Sequence, residues 1–250
     1  MLTAPETLTP PRKPEMSERS ACLDMLFTEE TPDFSARVAL ARDAGFQAVE
    51  FWLWSNKDLD ALQAAVRASG LRVTGFVAEP MISLVDAANH ATFLAALPTS
   101  IAVAQRLGAR FLFIQAGKAL STDRANQTAA LVTGLQHAAD LLHGTGVTLL
   151  LEPVSDSPGG FLDLAAEGIE IVARVNRPEV RLLFDLYHAA VIGETAQAAI
   201  GTRIDLVAHV HLADHPGRGA PGTGALDITG AVEWLNAQGY KGDFGYEHHR

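Results

Sequence analysis

The sequence has a single cysteine, Cys22, so no internal disulfide can form. A chain of 250 residues is long enough to bury a core without one. Cations are scarce beside anions: 19 Lys and Arg face 29 Asp and Glu, a formal net charge of -10. An acidic surface repels phosphate backbones and no local basic patch overrides the total, so nucleic acid is not an expected partner. No uninterrupted apolar run approaches the ~20 residues that cross a bilayer, and residues 1–20 lack the apolar stretch of a secretory signal. The expectation is a soluble, cytoplasmic protein with no membrane partner. A Gly-rich fingerprint after the first strand is also missing, which argues against a dinucleotide-binding sheet.

What is present is ordinary globular composition, 48% hydrophobic and 19% charged. Residues 1–19 stand apart: Pro5, Pro10, Pro11 and Pro14 sit among polar residues without periodicity, as in an extended or disordered arm. From residue 20 to 250 short apolar runs alternate with longer amphipathic segments, the pattern of repeated βα units around a parallel sheet. Strands are expected at 22–27, 48–52, 72–78, 111–115, 148–152, 181–185, 206–213 and 243–247. Helices are expected at 34–44, 59–69, 87–107, 124–142, 162–175 and 228–237, with a shorter one at 195–200. Gly45, Gly70, Gly108 and Gly146 fall just before strands, where helices end. Eight such units suit a closed (β/α)8 barrel better than an open sheet. The sequence stops at Arg250, directly after the eighth strand, so the expected barrel lacks a C-terminal eighth helix. Either the N-terminal arm or a partner would then cover that gap, or the chain is truncated there; a homo-oligomer is compatible with the sequence.

In such barrels the C-terminal strand ends carry the chemistry. Four successive strands close on polar residues: Leu151-Glu152-Pro153, Phe184-Asp185-Leu186, His209-Val210-His211 and Tyr246-Glu247. Adjacent strands lie about 4.8 Å apart, so Glu152, Asp185, His211 and Glu247 can converge on one point. Any one carboxylate there could simply cap the following helix. Three carboxylates and an imidazole in one pocket repel as bare charges, and a divalent cation resolves the repulsion. Oxygen ligands with one nitrogen suit Mn²⁺ or Mg²⁺, with Co²⁺ also compatible, and exclude a cysteine-rich zinc site. His209, two residues before His211, lies one layer deeper on the same strand face, as a buried histidine bracing the site.

These stretches resemble the hydroxypyruvate isomerase family, within the xylose-isomerase-like barrel superfamily. The likeness runs from about Ser20 to Glu247. It is carried by Met25-Leu26-Phe27-Thr28-Glu29, Ala44-Gly45-Phe46-Gln47-Ala48-Val49-Glu50-Phe51, Glu152-Pro153-Val154, Phe184-Asp185-Leu186-Tyr187-His188, Pro216-Gly217-Arg218 and Pro221-Gly222-Thr223-Gly224. The resemblance implies that Glu152, Asp185, His211 and Glu247 hold the metal. It implies that Glu152 and Glu247 also move protons, and that His188 and Arg218 contact a small carbohydrate or hydroxy-acid substrate. The reaction implied is interconversion of a hydroxy-aldehyde and a hydroxy-ketone, such as tartronate semialdehyde and hydroxypyruvate, through an enediolate. Two residues depart from the family pattern. His211 stands where hydroxypyruvate isomerases usually have glutamine and ketose epimerases have histidine, and Asp24 replaces an expected asparagine.

Three other functions compete. A ketose 3-epimerase on free sugars is favoured by His211. A metal-dependent hydrolase of the apurinic-endonuclease kind would need more ligands and a basic groove, and before His188 the chain offers only His90, His137 and His143. A binding protein that has lost activity is disfavoured by the presence of all four proposed ligands.

Overall fold

The computed structural model describes residues 18–249. Its strands are β1 (Arg19–Cys22), β2 (Ala48–Phe51), β3 (Arg72–Val77), β4 (Phe111–Gln115), β5 (Thr148–Glu152), β6 (Val180–Asp185), β7 (Val207–Leu212) and β8 (Phe244–Tyr246). They form a closed barrel in sequence order, and every neighbouring pair, β8 with β1 included, is parallel. The (β/α)8 expectation is therefore met. Helices α1 (Ala36–Asp43), α2 (Leu59–Ser69), α3 (His90–Leu107), α4 (Arg124–Leu142), α5 (Ala165–Val175), α6 (Leu186–Val191), α7 (Ala196–Ile200) and α8 (Ile228–Ala237) fill the crossovers. Among the described residues no helix follows β8, and none is long and apolar enough to cross a membrane.

Local chemistry sets most boundaries. Asp58 and Asp123 cap α2 and α4 by accepting two backbone N–H bonds each, which satisfies donors that a helix start leaves free. Gly70 and Gly108 end α2 and α3 at φ 72° and 69°, a left-handed backbone that costs glycine little.

Strand alternation divides the core in two. Outward side chains such as Val49, Leu112, Leu149 and Leu182 join the helices' apolar faces in one continuous layer. Inward ones form a small plug of Phe111, Phe113, Leu150 and Leu183. Above that plug the inward positions of β4, β5 and β6 become Gln115, Glu152 and Asp185, so the barrel is apolar below and charged at its mouth.

The first strand differs from expectation. It spans Arg19–Cys22, and the apolar run 23–27 forms turns, with Met25 and Leu26 N–H both donating to the Cys22 carbonyl. A short apolar run reads alike in a strand and in a buried turn; here Leu23, Met25 and Leu26 are buried as a turn. Helix α6 was hidden at the end of the strand-six run, and residues 87–89 form a short 3₁₀ turn leading into α3. The expected arm falls mostly on residues 1–17, outside those described; Glu18 already accepts a bond from Phe244 N–H and Arg19 pairs with Phe244 in the sheet.

Candidate metal centre

The register brings the four expected ligands to one level. Asp185 pairs with His211, His211 with Gly245, and Gln115 with Glu152; Glu247 directly follows β8. One ligand atom from each of Glu152, Asp185, His211 and Glu247 lies within 4.8 Å of all the others, and all four residues are buried. His211 Nδ1 is 2.9 Å from Glu247 Oε2 and 3.5 Å from Glu152 Oε1. Neither contact is aligned as a hydrogen bond, nor is that of Nε2 with Glu50 Oε1 at 3.0 Å, so both ring nitrogens of His211 are buried without one.

Asp185 unites the two roles that the sequence leaves open. Its Oδ1 caps α6, accepting from Tyr187 N at 2.7 Å and His188 N at 3.3 Å. Its Oδ2 faces the cluster, 3.1 Å from Arg218 Nη2 and 3.7 Å from His188 Nε2. Burial pushes the Asp185 carboxyl above its ordinary pKa, outweighing the pull of His188 and Arg218.

Glu247 is the most firmly held of the four. Its Oε1 accepts from the Trp52 indole at 2.6 Å and its Oε2 from Arg218 Nη2 at 2.6 Å. Burial alone would raise its pKa, but His211 and Arg218 win and bring it down to about 2. At His211 burial opposes the charged ring, yet Glu247 and Glu50 raise its pKa well above the ordinary histidine value. Glu152 is held loosely by comparison: it accepts from Gln115 Nε2 at 3.4 Å and has His211 Nδ1 at 3.5 Å, both longer than the contacts on Glu247.

Arg218 and His188 both line the mouth. Arg218 has φ 54° and reaches Glu247, Asp185 and, at 3.5 Å, Asp156. Its loop is organised by Asp214, a fully buried carboxylate that accepts from the backbone N–H of His215, Gly222 and Leu226. His188 is buried, with Nδ1 3.4 Å from Ser155 Oγ. A cavity of about 230 Å³ opens over the cluster, walled by Trp52, Val77, Met81 and Phe113 on one side and by Glu152, His188, Arg218 and Glu247 on the other. Asp24 accepts from Lys57 Nζ at 2.8 Å and from Trp52 N at 2.7 Å, so its charge is matched where asparagine was expected.

The donor set fits a hard divalent cation. Carboxylates crowded in a buried pocket repel one another, and His211 Nδ1 has no hydrogen bond of its own. A second group, Glu50, His209 and His211, shares His211 with the first. Sequence reasoning placed His209 below the site, where it lies, but missed Glu50. The available signal was a carboxylate inside the apolar strand Ala48-Val49-Glu50-Phe51, which requires a partner in the barrel interior.

Fold and cluster together define a parallel (β/α)8 barrel with an acidic, histidine-containing site at the C-terminal strand ends. The chain belongs to the xylose isomerase-like TIM barrel family, whose model matches residues 38–250. It is 30% identical over 247 residues to 2-oxo-tetronate isomerase of Cupriavidus necator, covering 93% of each chain. It is 27% identical over 240 residues to hydroxypyruvate isomerase of Escherichia coli, covering 92% of each. Among solved structures, an AP endonuclease family 2 protein from Brucella melitensis superposes with TM-score 0.86 and 28% identity, covering 93% of each chain.

Proposed function

We propose that this protein is a divalent-metal-dependent isomerase that interconverts a small hydroxy-aldehyde and hydroxy-ketone, with tartronate semialdehyde and hydroxypyruvate as the first pair to test. The reading is carried by the meeting of Glu152, Asp185, His211 and Glu247 around one point beneath a cavity of small-molecule size. The relatives named as isomerases of small oxo and hydroxy acids support it. Those four side chains would hold the cation, with Mn²⁺ or Mg²⁺ the expected metals. When bound, a divalent ion supplies Lewis acidity that makes a proton beside a carbonyl easier to remove.

The chain's own residues divide the remaining work unequally. Glu247 is fixed by Trp52 and Arg218 and stays ionised, so it holds charge and position. Glu152, whose contacts with Gln115 and His211 are both long, is the freer carboxylate and the better proton acceptor. It takes the proton from the hydroxyl-bearing carbon and returns it to the former carbonyl carbon, while the hydroxyl proton passes to the former carbonyl oxygen. Arg218 and His188 face the cavity and orient substrate oxygens, and the apolar wall limits water around the reacting carbons.

His211 favours one second reading, a ketose 3-epimerase. There Glu152 and Glu247 would act from opposite faces, one removing the proton and the other returning it.

The test is an assay of Mn²⁺-loaded protein on hydroxypyruvate, tartronate semialdehyde and a panel of free ketoses side by side. Turnover of the first pair, reduced about 10²–10⁴-fold in Glu152→Gln, is the expected result. Turnover of ketoses alone selects the epimerase. Full activity of Glu152→Gln without metal overturns both.

A further inference from the structure

Glu50 lies at the inner face of β2, across the barrel from β7, and is 1% exposed. A carboxylate this deep is costly unless its oxygens are matched. Oε2 shares a hydrogen bond with His209 Nε2 at 2.9 Å, and Oε1 lies 3.0 Å from His211 Nε2, a charge contact that is not aligned as a hydrogen bond. The two imidazoles are nearly perpendicular, at 87°, and converge on the one carboxylate. Phe113 fixes both rings from β4, stacked on His209 at 5° and edge-on to His211 at 88°.

The neighbouring strand makes room for this arrangement. His211 pairs with Gly245 on β8. A Cβ at Gly245 would collide with Glu50 Oε1 and crowd His211 Cδ2 at 2.7 Å and His209 Nε2 at 2.8 Å. Only a residue without a side chain leaves Glu50 its path to β7.

We propose that Glu50, anchored by His209 and admitted by Gly245, is a positioning residue that sets the tautomer and tilt of His211 for the metal centre. Carboxylates face both ring nitrogens of His211. A cation held by Glu152 and Glu247 would need the Nδ1 lone pair, and an ionised Glu50 can then accept the proton that a neutral ring keeps on Nε2. The ring's lone pair then sits on Nδ1, the nitrogen that faces Glu152 and Glu247. Carboxylates behind metal-binding histidines act in this way, and their loss typically weakens metal affinity 10–100-fold. The inference rests on the metal centre proposed above, and on no particular substrate.

The experiment is calorimetric titration of Mn²⁺ into metal-free wild type, Glu50→Gln, His211→Gln and the double variant, with near-ultraviolet circular dichroism to score folding. A glutamine can offer its carbonyl to one histidine only and must turn its NH₂ toward the other. Glu50→Gln is therefore expected to weaken Mn²⁺ binding about 10–100-fold, and to add nothing once His211 is Gln. Gly245→Ala, which leaves every polar group in place, is expected to weaken Mn²⁺ in the same direction and serves if Glu50→Gln does not fold. A purely structural Glu50 would lower stability but leave the Mn²⁺ affinity of the folded protein unchanged, and that result overturns the inference alone. Wild type that binds no Mn²⁺ overturns the metal centre and the inference with it.

Discussion

The two halves of the barrel meet at the same mouth and offer it different chemistry. Strands β5 to β8 deliver Glu152, Asp185, His211 and Glu247 at or next to their C-terminal ends. Strands β1 to β4 deliver Cys22, Phe51, Val77 and Gln115 at the corresponding level. The sharpest contrast is between direct neighbours, because Gln115 and Glu152 pair across β4 and β5. At that level one half concentrates charge and the other supplies apolar wall and a neutral amide, its own buried carboxylate, Glu50, lying deeper against His211. The division shows that a barrel with eight equivalent strand ends need charge only one arc of its rim, and that the opposite arc then sets shape and dryness.

Exchanging that pair breaks the comparison most directly. Gln115→Glu combined with Glu152→Gln keeps the net charge and moves the carboxylate one strand over. Activity on the proposed substrates is expected to fall about 10²–10⁴-fold, as for Glu152→Gln alone, since a base out of reach does no proton transfer. Recovery in the double variant would mean that either strand can carry the base.

Each half also anchors its rim with an aspartate, and the two should not be equal. Asp214 receives three backbone N–H bonds, whereas Asp24 receives one and the Lys57 ammonium. Burial alone would raise the Asp214 pKa, but its backbone donors hold it below the ordinary value. Its contribution is thus fully present above the unfolded carboxylate pKa of about 3.9 and is lost as pH falls through the lower folded value. Urea unfolding should show Asp214→Asn destabilised by about 1–3 kcal/mol at pH 7, more than Asp24→Asn, with the gap to wild type closing in acid.

Proton competition acts on the charged half only. His211 must lose a proton for Nδ1 to bind a cation, and its pKa in the metal-free site is raised well above the usual histidine value. Mn²⁺ affinity should therefore climb about tenfold per pH unit through the neutral range and level off above that pKa. Calorimetry at several pH values reads the slope, and a flat profile from pH 6 to 8 would remove His211 from the ligand set.

The smallest effect is expected where the halves touch. Trp52, from the wall side, donates its indole N–H to Glu247 at 2.6 Å. Trp52→Phe keeps an aromatic wall and deletes the donor, so kcat should drop several-fold, by about 1 kcal/mol, with Mn²⁺ affinity nearly unchanged. Equal losses in both would make Trp52 part of the cation's support.

The charged half was legible in the sequence because its three proposed carboxylate ligands close apolar runs, as in Leu149-Leu150-Leu151-Glu152 and Leu182-Leu183-Phe184-Asp185, while His211 stands one residue before the end of β7. A polar residue at such a boundary faces the mouth whatever the details of packing. The first half concealed more. Glu50 sits inside a strand with Phe51 after it, and its partner His209 is 159 residues away, so only the closed sheet reveals their contact. The apolar run after Cys22 looks like a strand and is a buried turn, because composition cannot separate the two. Arg218 was legible as a pocket residue, yet its grip on Glu247 and Asp185 depends on a loop shaped by Asp214.

The central claim is one cation held jointly by four strands. Anomalous diffraction from Mn²⁺-soaked crystals tests it most directly. The account predicts a single strong peak in contact with Glu152, Asp185, His211 Nδ1 and Glu247 together. A peak elsewhere, or none at a concentration that saturates binding in solution, would contradict it.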